Sequence, residues 1–99
     1  MIPVCRADEL DDNSSKAIEA EGHHIVLIKT NGEIFALEDR CSHQDTPLSG
    51  GRVRRGYIAC PLHGVMFDVK TGNPTGTLTK KCVRTFDVEV LEGMVHIEV

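Results

Sequence analysis

The sequence predicts an all-β protein of short antiparallel strands, and three observations lead there. Two aliphatic runs, Ile25 to Ile28 and Ile34 to Leu37, flank Asn31-Gly32. Both residues of that dipeptide tolerate positive φ, which favours a tight hairpin turn. Near the end of the chain, Phe86, Val88 and Val90 alternate with Asp87 and Glu89. Beyond Glu92-Gly93, Val95, Ile97 and Val99 alternate with His96 and Glu98. That period of two describes a second hairpin with one wet face. Helical periodicity is nearly absent, and its best candidate is a short turn around Asp8 to Leu10, inside the polar stretch Arg6 to Lys16.

The middle of the chain reads differently. Between Cys41 and Thr79 glycine and proline recur, at Pro47, Gly50-Gly51, Gly56, Pro61, Gly64, Gly72, Pro74 and Gly76. Strands there must be brief, such as Tyr57 to Ala59 and Val65 to Val69. A loop-rich stretch inside a small domain needs another source of order. The 99 residues fit one domain, spanning 1–99, with no repeat, low-complexity tract or linker. A domain of that size gains little from burial alone, so a bound metal would help to hold it.

Charge and cysteine usage narrow the function. The formal net charge is −4, the wrong sign for a nucleic-acid binder and suited to docking on basic partner surfaces. The opening residues lack a basic segment followed by a long apolar one, so they do not read as a signal peptide. The aliphatic run Ile25 to Ile28 is far too short to span a bilayer. The expectation is a soluble cytoplasmic protein with no membrane partner. Of the four cysteines, none is then expected in a disulfide, because the cytosol keeps thiols reduced; metal binding or redox chemistry is favoured instead.

Two of the cysteines carry the chemistry. Cys41-Ser-His43 and Cys60-Pro-Leu-His63 are mixed ligand pairs with 16 residues between His43 and Cys60. Each pair follows a strand-like run and opens into a loop containing glycine or proline, and each offers one soft thiolate and one imidazole. Zinc accepts such ligands, and so does iron in an iron–sulfur cluster. Zinc fingers usually pair Cys with Cys and His with His, which mixed pairs fit poorly. A structural zinc module nonetheless stays open at this point.

The two-pair pattern C-x-H…C-x-x-H resembles the Rieske signature, and its surroundings agree. Asp39-Arg40-Cys41-Ser42-His43 is followed by Leu48-Ser49-Gly50-Gly51. Cys60-Pro61-Leu62-His63-Gly64 leads to Phe67-Asp68 and Thr71-Gly72. The resemblance is to the small ferredoxin component of bacterial aromatic-ring-hydroxylating dioxygenase systems. It implies a Rieske fold, with a base β-sandwich from the flanking segments and a loop-rich cluster-binding subdomain at about 40–77. It implies one [2Fe–2S] cluster per chain, with Cys41 and Cys60 on the inner iron and His43 and His63 on the outer. With two thiolates and two neutral imidazoles the oxidised site is neutral, so it accepts an electron more easily than a four-thiolate site. Two departures point to the low-potential end of the family. Thr46 and Leu62 stand where the respiratory proteins have a clamping disulfide. Val65 and Phe67 stand where those proteins have hydroxyls that bond to sulfur. The third loop, Gly72 to Leu78, has only Pro74 where prolines are usual.

The implied function is electron carriage, not catalysis. A flavin-containing NAD(P)H reductase would stand upstream and a terminal oxygenase downstream, and a monomer suits such a shuttle. No nucleophile–base pair and no G-x-G-x-x-G loop is present. Alternatives are a carrier for another redox system, such as a monooxygenase, or a nitrite reductase small subunit, whose members often lack the ligands found here. Cys5 and Cys82 read as buried or partly buried free thiols, His23 and His24 as solvated turn residues, and His96 as facing water. Arg52, Arg54 and Arg55 read as a solvated hairpin tip, or alternatively as a docking contact near the cluster.

Overall fold

The computed structural model describes residues 1–41, 46–61, 64–76 and 81–99. Among the described residues it contains nine strands and no α-helix. The first is β1 (Ile2–Arg6), followed by a single 3-10 turn (Ala7–Glu9), β2 (Ser14–Ala20), β3 (His23–Thr30) and β4 (Glu33–Glu38). A small group follows, β5 (Val53–Arg54), β6 (Tyr57–Ala59) and β7 (Met66–Asp68), and the chain ends in β8 (Thr85–Leu91) and β9 (Met94–Glu98). Six strands form one antiparallel sheet in the order β1-β9-β8-β4-β3-β2, and three form a second in the order β5-β6-β7.

Both expected hairpins are present. Asn31 and Gly32 have φ of 54° and 75°, and Glu92 and Gly93 have 50° and 77°. This is the doubly left-handed turn whose twist matches that of the flanking strands. The larger sheet curls so that its outer strands β1 and β2 touch. All six of its strands contribute to one core, through Cys5, Ala20, Ile25 and Leu27, Ala36, Phe86, Val95 and Ile97. This is the base sandwich that the sequence predicts.

A second core lies between the base and the smaller sheet. It gathers Val26, Ile28 and Leu37 from the base with Val53, Ile58 and Phe67 from the small sheet. Strand β3 therefore serves both cores. Ile25 and Leu27 point one way, Val26 and Ile28 the other, and all four have 0% exposure. Continuous aliphatic sequence without a polar alternate fits a strand buried on both faces. One buried polar residue completes the junction. Thr30, 0% exposed, donates its hydroxyl to Asn13 Oδ1 and accepts the Gly56 N–H. That pins the β5–β6 turn to the base.

Several local expectations are corrected. Strands β1 and β2 carry no clear signal in the sequence. β2 begins within the stretch that reads as polar, because it is an edge strand held by backbone pairing with β3, from Ser14↔Lys29 to Ala20↔His23. The turn there is Glu21-Gly22, with φ of 50° and 80°, so His23 and His24 open β3 instead of forming the turn. The wet face of the last hairpin is also less regular than its alternation suggests: Val88 is half-buried and Val90 is 46% exposed. His96 is half-buried, its Nδ1 3.1 Å from the Met94 carbonyl.

Truncating either inward face of β3 should cost about 2–5 kcal/mol, the usual range for a fully buried aliphatic residue. We expect Leu27→Ala and Ile28→Ala each to fall in that range in denaturant unfolding, and Val90→Ala to change stability by less than about 0.5 kcal/mol.

Candidate metal centre

Cys41 and Cys60 each bond through their own amide to the carbonyl five residues on. The Cys41 N–H donates to the Thr46 carbonyl at 2.7 Å, and the Cys60 N–H donates to the Val65 carbonyl at 2.8 Å. Each cysteine thus opens a six-residue loop closed by its own amide, and one expected histidine falls inside each loop. The second loop is tightened by the Gly64 N–H bonding to the Cys60 carbonyl at 2.9 Å, with Gly64 at φ 74°. It extends the ladder of β6 and β7, whose last pair is Ala59↔Met66. The first loop follows β4 directly.

Both thiols are buried, at 1% and 3% exposure, and both belong to the core beneath the small sheet. Val65 (3% exposed) and Phe67 (0% exposed) belong to it too. Neither offers a hydroxyl, so this core supplies no hydroxyl donor to sulfur from either position. A pair of buried thiols in one apolar core, each at the mouth of a loop carrying a histidine, is a donor set that fits an iron–sulfur centre. His43 and His63 themselves lie outside the described residues, as do Ser42, Leu62 and Thr77 to Lys80. Among the described residues no group of three or more His, Cys, Asp or Glu side chains is gathered for a metal.

The other cysteines are placed apart. Cys5 is buried in the base core instead. Burial pushes its thiol pKa up, with Lys16 opposing, so it stays protonated and is a poor ligand. Cys82 is exposed, not buried or partly buried as expected. Its Sγ donates to Asn73 Oδ1 at 2.8 Å, on the segment that follows β7.

The arginines divide along the small sheet. Arg52 accepts the Ala59 N–H through its carbonyl, one residue before Cys60. Arg55 and Gly56 form the turn at the other end of the hairpin, with φ of 52° and 85°, against Thr30. Arg54 and Arg55 are exposed at the turn end of this hairpin, and Arg52 is exposed at the end that leads to Cys60.

Sequence reading assigns no role to Asp39, Ser49 or Gly51, although all three flank the motif. The Asp39 carboxylate accepts the Ser49 N–H at 2.7 Å and the Ser49 hydroxyl at 2.8 Å. Its own N–H donates to the His24 carbonyl at 2.9 Å. Gly51 closes the turn by donating to the Leu48 carbonyl at 3.0 Å. A Cβ on Gly51 would lie 1.9 Å from the Ala59 carbonyl oxygen and 3.0 Å from that of Leu48. No local signal marks this pairing, because Asp39 and Ser49 are ten residues apart in the sequence.

Comparison with known proteins agrees with this geometry. The family model described as the Rieske [2Fe-2S] domain matches residues 1–87. The chain is similar to the anthranilate 1,2-dioxygenase ferredoxin subunit of Burkholderia cepacia, at 32% identity over 97 residues, covering 98% of this chain and 90% of that one. It is similar to the 3-phenylpropionate/cinnamic acid dioxygenase ferredoxin subunit of Photorhabdus laumondii, at 33% identity, covering 97% and 91%. Among solved structures it resembles a chain in the complex of reduced oxygenase and oxidized ferredoxin of carbazole 1,9a-dioxygenase. The TM-score there is 0.92 at 30% identity, over 98% of this chain and all of that one.

The two glycines of the Ser49 turn should behave differently. Gly51→Ala drives a Cβ into the backbone before Cys60, whereas a Cβ at Gly50 meets nothing within 4 Å and suffers only its φ of 87°. We expect Gly51→Ala to lower the melting temperature and the yield of coloured protein well below those of Gly50→Ala, whose cost should stay near 1 kcal/mol.

Proposed function

This chain belongs to the Rieske [2Fe–2S] family, and from that premise we propose that Cys41, His43, Cys60 and His63 hold its cluster, one per chain. The two thiolates bind one iron and the two imidazoles the other. The observation that carries this is the matched pair of loops, each closed by its cysteine's own amide, with both thiols in one core. Residues 40–77 are the cluster-binding subdomain, and the segments on either side are its base.

The chain is an electron-transfer ferredoxin and not a catalytic subunit. When bound, the cluster accepts and releases one electron at a time. The protein's own residues set the conditions. Leu48, Ile58, Val65 and Phe67 keep the thiols dry. The loop amides of Cys41 and Cys60 are committed to backbone carbonyls, which fixes where the sulfurs start. Val65 and Phe67 add no hydroxyl donor, so negative charge gained on reduction is less stabilised. We place the reduction potential at about −150 mV, the low end of the Rieske range. A terminal oxygenase is the partner supported by the relatives' names and by the solved complex. A flavin-containing NAD(P)H reductase is the electron source we propose. Among the described residues no helix is long and apolar enough to cross a membrane, and the cytoplasm is the compartment we propose.

Iron and sulfide analysis with ligand variants tests the assignment. Wild type should contain about two irons and two sulfides per chain. Cys41→Ser, His43→Ala, Cys60→Ser and His63→Ala should lose or change the visible spectrum, while Cys5→Ser and Cys82→Ser keep it. One zinc without sulfide would contradict the reading.

A further inference from the structure

The disulfide that clamps the two loops in some family members is absent here, because Thr46 and Leu62 occupy its positions. The structure shows a different connection, made from the segments that precede each cysteine. It begins at Asp39, two residues before Cys41. Its half-buried carboxylate takes both donors of Ser49, the N–H and the hydroxyl, at 2.7 and 2.8 Å. A carboxylate accepting two bonds from one residue fixes that residue's orientation as well as its position, and charge-assisted bonds are the stronger kind. Ser49 lies between Leu48, fully buried in the same core as the thiols, and the Gly50-Gly51 turn. Gly51 then lies against the Ala59 carbonyl so closely that no side chain fits. Ala59 immediately precedes Cys60, and its amide is in turn held by the Arg52 carbonyl. The near end is anchored too, since the Asp39 N–H donates to the His24 carbonyl on β3.

We propose that Asp39, acting through Ser49, is a positioning residue for the cluster: a non-covalent strap that holds the Cys41 segment at a set distance from the Ala59–Cys60 segment. The proposal rests on the assignment of Cys41 and Cys60 as ligands. A four-ligand centre spanning two loops is released when the loops separate, so a strap between them slows release and sharpens the geometry at iron. Without it, the first loop is tied across its mouth by the Cys41–Thr46 bond, and the turn that braces Cys60 loses its connection to β4.

The test is the rate at which holoprotein loses its visible absorbance to an excess of iron chelator, read together with the g-values of the reduced cluster. Asp39→Ala should release the cluster about tenfold faster or more, since hydrogen bonds to a charged group contribute more than most. Ser49→Ala keeps the amide bond to Asp39 and should give a smaller increase. Asp39→Asn should rescue in part, releasing the cluster clearly more slowly than Asp39→Ala, because its Oδ1 still accepts the amide and its Nδ2 can donate to the hydroxyl oxygen, though without the charge. Adding Ser49→Ala to Asp39→Ala should bring little further change, the signature of one shared interaction. The g-values should move in Asp39→Ala and return in Asp39→Asn, which general destabilisation would not produce. Wild-type release and g-values in both alanine variants would overturn the proposal, as would an Asp39→Asn variant as fast as Asp39→Ala. If Asp39→Ala fails to fold, Ser49→Ala against Asp39→Asn decides on the same terms. A Cys41→Ser protein that keeps wild-type iron and sulfide would instead bring down the ligand assignment. Normal ligand behaviour with inert strap variants removes the strap alone.

Discussion

Four consecutive aliphatic side chains, Ile25 to Ile28, are buried completely because β3 has a core on each of its faces. Successive residues of a strand point to opposite sides, so a single strand distributes this run between the two cores. Ile25 and Leu27 close the base, together with residues of the other five strands and Leu10. Val26 and Ile28 are the floor on which the small sheet, Leu48 and both thiols rest. The position of the metal centre relative to the base is thus an outcome of side-chain alternation in one strand. A polar residue at any of these four positions would sit in a core on whichever side it pointed.

The loops add what an apolar floor cannot supply. Hydrophobic packing is non-directional, whereas a metal centre needs its ligands placed to within a fraction of an ångström. Direction comes from backbone bonds and from a few polar side chains. Each cysteine amide closes its own loop. Asp39 orients Ser49, and Thr30 holds the turn at Gly56. Packing and hydrogen bonding therefore have separate roles. Packing fixes depth and dryness, and hydrogen bonding fixes the mutual arrangement of the two thiol-bearing segments.

Much of this is legible in the sequence, for reasons that differ by element. The hairpins at Asn31-Gly32 and Glu92-Gly93 are readable because the turn chemistry and the flanking apolar runs agree. Strand β6 is readable because turn residues bound it closely. Strand β2 is not, because Ser14-Ser15-Lys16 has little strand propensity and pairs only through its backbone with β3. With β2 hidden, the turn before β3 reads two residues late, and His23 and His24 fall into it. The exposure of Cys82 depends on where the segment after Gly72 runs, and no local pattern encodes that. Cys41, His43, Cys60 and His63 stand out because their spacing is specific to one kind of site, and two of the four can be placed in one core. The bonds of Asp39 are hidden for the opposite reason. An acidic residue near a serine is common, and only the tertiary turn between them gives it a role.

If β3 is the element on which the site depends, the base should persist when the cluster is gone. Amide hydrogen exchange on the apo protein, compared with the holoprotein, measures this directly. The amides of Ile25 to Ile28 and of their partners in β4 should stay protected in the apo form. Those of Cys41, Cys60 and Gly64, and of the small sheet, should exchange much faster than in the holoprotein. Equal loss of protection in β3 and in the loops would mean that the base needs the cluster in order to fold, and would contradict the account.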